Sequence, residues 1–65
     1  MTNEERAESA RKVLDYFCEI VENDDETEIL AIDLICNIRH LLALEGIEQD
    51  EVFERARDFF ESEAE

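Results

Sequence analysis

The chain contains no proline and only one glycine, Gly46, so almost nothing in its 65 residues interrupts a helix. Proline and glycine are the strongest local breakers of regular structure, and without them the breaks come from short polar stretches. Such stretches occur at residues 23–25 and around Gly46. The sequence therefore predicts three helices joined by two short turns.

The first helix is predicted from a capping signal and from the spacing of its apolar residues. Thr2 followed by Glu5 is typical of a capping box, in which each side chain accepts a hydrogen bond from the backbone amide of the other residue. Apolar residues then recur at steps of three and four, which places them on one face of a helix that ends near Asn23. They are Ala7, Ala10, Leu14, Phe17 and Val21.

The second helix is predicted over residues 26–45. Residues 23–25 have the composition of a turn, and Asp25 with Glu28 repeats the capping pattern just before a long apolar run. Gly46 ends this run, because glycine readily adopts the left-handed conformation found at many helix C-termini. In that motif the chain folds back, with Leu42 against Ile47.

The third helix is predicted over residues 49–63. Glu48 is a poor residue for the N-cap, but in that position it places Glu51 at the third helical residue and Ile47 against Val52. The helix is expected to turn one apolar side inward. That side consists of Val52, Phe53, Ala56, Phe59 and Phe60.

Short connections place consecutive helices antiparallel to one another, so the predicted fold is all-α. It is a three-helix up-down-up bundle with helices at about 3–23, 26–45 and 49–63, in a single domain spanning residues 1–65. A chain of about 60 residues buries only about 60% of the surface that it exposes when unfolded. We therefore expect marginal stability.

The second helix is apolar around nearly its whole circumference, and only Asp33, Asn37 and His40 form a polar line along it. A helix of this kind is normally buried on all sides, which two neighbouring helices cannot achieve. The surplus apolar surface predicts a homodimer that is completed through this helix. The alternative is a monomer in which long Glu and Arg side chains cover that surface. The residues assigned to the dimer interface are Leu30, Leu34 and Leu41.

The chain is strongly acidic, with 20 acidic and six basic residues and a formal net charge of -14. A disordered acidic chain lacks apolar residues, whereas this one is 45% hydrophobic and is expected to fold. Its negative surface repels DNA, RNA and anionic membranes, whose binding requires clustered Lys and Arg. The expected partner is a protein with a basic surface.

The acidic residues are predicted to collect at the two ends of the bundle, which we call the first and second acidic poles. The antiparallel arrangement is also expected to bring Glu61, Glu63 and Glu65 to the first pole. Either pole is a candidate surface for binding the partner. The first acidic pole consists of Glu19, Glu22, Asp24, Asp25, Glu26 and Glu28, and the second of Glu45, Glu48, Asp50, Glu51 and Glu54.

Two interpretations of this charge remain open. In the first, the carboxylates imitate the phosphates of DNA and occupy the basic groove of an enzyme that handles nucleic acid. In the second, the charge only keeps a small apolar-rich protein in solution, for which a net charge of about 2 to 8 is enough. The excess over that range favours a binding function.

Other chemistry is not supported by the residues present. Cys36 and His40 have the spacing of two metal ligands, but a closed zinc site requires four, and we predict no metal and no cofactor. No combination of residues indicates an enzyme. The two cysteines, Cys18 and Cys36, have room for one disulfide at most. No signal peptide or membrane-spanning run precedes them, so we expect a cytoplasmic protein with free, buried thiols.

The segment from Asp33 onward combines several features: a helix, Gly46 with Ile47, and a charged final helix. In this combination it resembles small acidic helical proteins encoded in phages, prophages and plasmids. The resemblance implies a mobile-element context, in which inhibitors of host restriction or CRISPR enzymes and small dimeric adaptors that bind through apolar side chains are both expected. The sequence departs from the pattern at Glu48, where a better N-cap residue is usual. The matching residues are Asp33, Leu34, Arg39, His40, Gly46, Ile47, Asp50, Glu51, Glu54, Arg55, Ala56, Phe60 and Glu61.

Overall fold

A computed structural model of the chain describes residues 1–63, and these residues form three α-helices. Helix α1 spans Asn3–Val21, α2 spans Thr27–Leu44 and α3 spans Gln49–Glu63. The prediction of an all-α fold with three helices is confirmed, and the predicted bounds agree with the observed ones to within two residues. Residue 65, which was assigned to the first acidic pole, lies outside the described part of the chain.

The capping box at the start of α1 forms as the sequence predicts. The backbone amide of Glu5 donates to Thr2 Oγ1 at 3.1 Å, and the amide of Thr2 donates to Glu5 Oε1 at 3.0 Å. The hydrogen bonds from the backbone amide and then the side chain of Thr2 lower the pKa of the Glu5 carboxyl. Because these bonds stabilise the ionised carboxylate, the cap persists to a lower pH than an unbonded carboxylate would allow.

The predicted cap at the start of α2 is wrong. The N-cap residue is Glu26, one position beyond Asp25, and its side chain makes no capping hydrogen bond. A contact between helices holds this region instead, because Arg11 Nη2 donates to Thr27 Oγ1 at 2.8 Å. The start of α2 is therefore held by packing against α1 rather than by local capping.

The turn between α2 and α3 has the geometry expected of a glycine C-cap. Gly46 adopts a φ of 71°, its amide donates to Ala43 O at 3.2 Å, and the amide of Ile47 donates to Leu42 O at 2.9 Å. These two bonds define the Schellman motif. Glu48 then acts as the N-cap of α3, since its carboxylate accepts the amide of Asp50 at 3.3 Å.

The turn between α1 and α2 uses the same left-handed conformation without a glycine. Glu22 has a φ of 54°, and the amides of Glu22 and Asn23 both donate to the carbonyl of Cys18. A residue with a side chain is strained in this conformation by about 1–2 kcal/mol. This turn geometry is not predictable from the sequence, because no glycine occupies the position.

Replacing Glu22 by glycine should therefore stabilise the fold by about 1 kcal/mol, since glycine removes the strain at the cost of some extra freedom in the unfolded chain. For a chain of this size, that corresponds to a rise in melting temperature of about 4–8 °C. Thermal unfolding followed by circular dichroism measures it. Glu22→Ala is the control, because it removes the same charge but keeps the strain. Equal melting temperatures for the two variants would contradict the explanation.

The hydrophobic core is small and lies between α1 and α2. Its buried residues are Leu14 and Phe17 of α1 and Leu30 of α2, and the partly buried Cys18 and Leu34 pack against them. The two helices are joined by the short turn at residues 22–26 and pack against each other through these side chains. In residues 1–63 no other side chain is classed as buried, so most apolar residues of α2 are exposed or half-buried.

Helix α3 contacts the other two helices mainly near its ends. At its start, Arg39 of α2 donates from Nε to Gln49 Oε1 at 2.8 Å, and its guanidinium lies 5.7 Å from the ring centroid of Phe53. At its end, Asn3 Nδ2 donates to Glu63 O at 2.8 Å. Helix α3 therefore runs from the end of α2 back to the start of α1.

This path of α3 corrects two expectations. Glu63 lies beside Asn3 and pairs with Arg6 at 3.1 Å, so it is at the start of α1 and not at the first acidic pole. Phe59 and Phe60, predicted to point inward, are 60% and 69% exposed, because the end of α3 lies away from the core between α1 and α2. The molecule is flat, with extents of 34 × 32 × 16 Å.

Candidate functional site

The first acidic pole occupies the end of α1, the following turn and the start of α2, and all six of its side chains are exposed. Glu19 and Glu22 lie at the C-terminal end of α1, whose last turn contains no basic residue. The partial negative charge of the helix dipole at that end makes further negative charge unfavourable there. Asp24 and Asp25 follow within the turn. Glu19 and Glu22 are thus placed where the helix backbone does not favour negative charge, whereas Glu26 and Glu28 lie at the start of α2, where it does.

Cys18 lies within this pole and responds to its charge. The thiol donates to the carbonyl of Asn23 at 2.6 Å. Burial raises the pKa of the Cys18 thiol, and the surrounding carboxylates add to this effect because they oppose a second negative charge. The carboxylates that contribute are those of Asp24, Asp15, Glu19 and Asp25. Three of these four carboxylates, those of Asp24, Glu19 and Asp25, belong to the first acidic pole.

The two thiols should differ in reactivity. Cys36 is exposed, which corrects the expectation that both thiols are buried, whereas Cys18 is half-buried and its raised pKa reduces the thiolate fraction. We expect iodoacetamide at pH 8 to modify Cys36 about 10-fold faster than Cys18. Intact-protein mass spectrometry of the single variants Cys18→Ser and Cys36→Ser measures each rate separately. Equal rates would show that the surroundings of Cys18 offer no protection.

The second acidic pole is also fully exposed, but several of its carboxylates stabilise α3 locally. Glu48 caps the helix, and Asp50 and Glu51 lie in its first turn, where negative charge is favoured by about 0.3–1 kcal/mol for each residue. Asp50 and Glu54 also line an open cleft of about 320 Å³ together with Phe53 and Arg57. The carboxylates at the start of α3 therefore have a structural explanation that Glu19 and Glu22 lack, whereas Glu45 lies at the C-terminal end of α2.

In the described part of the chain, no carboxylate of either pole forms an ion pair within 4.0 Å. Residues 1–63 contain one ion pair within 4.0 Å, between Arg6 and Glu63, and it belongs to neither pole. The carboxylates of both poles, apart from that of Glu48, which caps α3, are consequently available to an external partner.

The structure separates the three residues assigned to a dimer interface. Leu30 is 6% exposed and belongs to the core with Leu14 and Phe17, so its assignment is wrong. Leu34 is half-buried against that core, and Leu41 is exposed. The cause is that α2 is apolar nearly all round, so its sequence does not indicate which side meets α1.

Two uncovered apolar surfaces were not predicted as such. The first is an open depression of about 320 Å³ between α1 and α2, which we call the α1–α2 groove. The second is a depression of about 300 Å³ on α3, which we call the α3 face. Val13, with Tyr16 and Ile20 at helical spacing, is the signal in the sequence that the predictions overlooked. The α1–α2 groove is lined by Ala10, Val13, Leu14, Ala31, Leu34 and Ile35, and the α3 face by Val52, Arg55, Ala56 and Phe59.

The described residues offer no arrangement for a metal ion, since no group of three or more His, Cys, Asp or Glu side chains in residues 1–63 is placed to hold one. In the same part of the chain, no helix combines the length and the apolar character needed to cross a membrane. Comparison with known proteins finds no matching family model, no similar curated protein and no similar solved structure.

Proposed function

We propose that the chain is a non-enzymatic module that binds a protein partner through the first acidic pole. The partner's matching surface is basic and is the one with which it holds nucleic acid, so that the pole acts as a substitute for DNA phosphates. The observation that supports this most is the position of Glu19 and Glu22, which add negative charge at the unfavourable end of α1.

The argument depends on what each carboxylate does for the fold. Those at the start of α3 stabilise their own helix, so their presence requires no partner. Glu19 and Glu22 have no such effect, and each close pair of like charges costs about 1 kcal/mol even in water. A basic partner would convert this repulsion into attraction and would accelerate the encounter. The first acidic pole is thus the better candidate of the two.

The resemblance of residues 33–65 to small acidic proteins of phages, prophages and plasmids supports a more specific form of the proposal. In a mobile element, an acidic module that occupies a nucleic-acid groove would inhibit a host defence enzyme. The same charge makes direct binding to DNA, RNA or an anionic membrane unfavourable, since the chain carries no excess of Lys and Arg. The expected setting is the cytoplasm.

The proposal is tested by competition between the chain and DNA. The immobilised chain is loaded at low salt with the bacterial proteins that a DNA resin retains, and it is then washed with a short duplex DNA. We expect the duplex to release the bound proteins, because both ligands occupy the same basic surface. We also expect release as salt shortens the Debye length from about 10 Å at 0.1 M to about 3 Å at 1 M.

Two matched variants locate the binding surface. One carries Glu19→Gln, Glu22→Gln, Asp24→Asn and Asp25→Asn, and the other carries the same four-charge change at the second pole. The first should lose binding, whereas the second should keep most of it, with helicity checked in both by circular dichroism. If the duplex releases nothing, or if the second variant alone loses binding, the proposal is wrong. The second variant carries Glu45→Gln, Asp50→Asn, Glu51→Gln and Glu54→Gln.

A second candidate function is that of a helical adaptor that binds its partner through apolar side chains. It is favoured by the exposure of Phe59 and Phe60 at the end of α3. Aromatic side chains are the usual anchors of protein interfaces. A partner that stays bound in 1 M salt, resists elution by duplex DNA and is lost on Phe60→Asp substitution would support this function over the first.

A further inference from the structure

The chain exposes more surface than a monomer of its size normally does. Its accessible surface is 5657 Å², whereas a folded monomeric protein of 7.6 kDa exposes about 4,300 Å². The excess exceeds 1,000 Å², and a stable interface of standard size buries about 800 Å² on each partner. The area left uncovered is therefore sufficient for a stable dimer.

The shape of the molecule leads to the same conclusion. Its smallest extent, 16 Å, is about half of the other two, 34 and 32 Å. Stable domains are built from at least two packed layers, because a single layer leaves one apolar side in water. Here the flat arrangement leaves apolar side chains of all three helices in water.

Within the uncovered area, two apolar depressions lie on different helices. The α1–α2 groove is lined only by residues of α1 and α2, and the α3 face only by residues of α3. Almost a third of the chain is acidic, yet neither surface contains an acidic residue. The α3 face contains one charged residue, Arg55. These are the places where two chains of net charge -14 can approach with least repulsion.

We propose that two copies of the chain form a symmetric dimer in which the α3 face of each copy packs on the α1–α2 groove of the other. Each copy then contributes one surface of each kind, so a single two-fold axis covers all four surfaces at once. The product is an assembly of six helices. Unlike a dimer formed through α2 alone, it covers Phe59 and leaves Leu30 in the core of its own chain.

The dimer and the binding of a basic partner respond to salt in opposite ways. Both copies are negative, so screening should strengthen the dimer, whereas it should weaken a complex between the first acidic pole and a basic surface. The test of the dimer requires only the chain itself. Failure of the dimer therefore leaves the proposed function unaffected, and failure of the proposed function leaves the dimer unaffected.

Sedimentation equilibrium of the unmodified chain is the first test, since it involves no substitution. At about 100 µM chain in 0.15 M salt, an apolar interface of this area should give a mass near twice 7.6 kDa. A mass of 7.6 kDa under these conditions, unchanged in 1 M salt, would overturn the proposal.

Two isoleucines of α2 provide a matched pair of variants. Ile35 lines the α1–α2 groove and is 46% exposed, whereas Ile32 lies outside both surfaces and is 59% exposed. Ile35→Asp places a charge in the interface twice, once in each half of the dimer, and should weaken dimerisation about 100-fold or more. Ile32→Asp should leave it unchanged. Equal effects of the two substitutions would contradict this arrangement.

Mixing two defective variants tests which surface meets which. Ile35→Asp damages the groove and Phe59→Lys damages the α3 face, so each homodimer has two damaged contacts. In a mixed dimer one contact is intact and the other places Asp opposite Lys. Native mass spectrometry should therefore show a mixed dimer in excess over either homodimer. A dimer that paired groove with groove would give no such excess.

Discussion

Replacing Leu30 by alanine is expected to leave the chain largely unfolded. Leu30 is one of the three buried side chains of the core, and removing a buried leucine side chain costs about 2–5 kcal/mol. A core of this size in a chain of fewer than 70–80 residues seldom supplies more than about 3–5 kcal/mol of total stability. The loss is therefore comparable to the whole free energy of unfolding.

Leu41→Ala is the matched control for this prediction. It makes the same chemical change on the same helix, but Leu41 is 53% exposed and lines neither uncovered surface, so we expect a loss of less than about 1 kcal/mol. Circular dichroism and urea unfolding at one fixed chain concentration measure both variants, because dimerisation makes stability depend on concentration. Similar losses for the two variants would show that the core is placed elsewhere.

Salt is expected to stabilise the fold strongly. At a net charge of -14, with a single ion pair among the described residues, repulsion between carboxylates favours the unfolded chain, in which they move apart. Raising the salt concentration from 0.02 to 0.3 M brings the Debye length below 10 Å and screens this repulsion. We expect a gain of about 2 kcal/mol and a rise in melting temperature of about 10 °C.

The variant with four neutralised carboxylates at the first acidic pole separates screening from other effects of salt. It should be more stable than the unmodified chain at 0.02 M salt, and its melting temperature should rise less between 0.02 and 0.3 M. Salts that strengthen apolar burial act equally on both proteins, so the difference between the two responses isolates the charge. A melting temperature that falls or stays constant with salt would show that the repulsion is negligible.

The parts of the fold that the sequence predicts well are those decided by neighbouring residues. The capping box of Thr2 and Glu5 and the C-cap at Gly46 each involve residues at most five positions apart, so both can be predicted from the sequence. The helix bounds follow from them. The left-handed conformation of Glu22 is equally local, but no glycine marks it, so the sequence predicts the turn at residues 23–25 without predicting this conformation.

The parts that the sequence does not decide depend on contacts between helices. Residues of α2 are apolar on almost every side, so the choice of Leu30 as the buried residue follows from where α1 packs. The position of Glu63 beside Asn3 joins residues 60 positions apart and reverses the expected location of the end of α3. The sequence shows that the acidic residues are clustered. It does not show that those at the end of α1 are unfavourable for their helix, whereas those at the start of α3 stabilise theirs.

The contact between Asn3 and Glu63 also bears on the order of the elements along the chain. Because the end of α3 lies beside the start of α1, the three helices form a closed ring. The end of each helix lies near the start of the next one. Chains with adjacent ends tolerate circular permutation. A short peptide bridge from α3 to α1, with a new opening in the exposed turn at residues 23–26, would give a protein that begins with α2 and retains the same three junctions. The fold therefore does not require α1 to be the first helix of the chain.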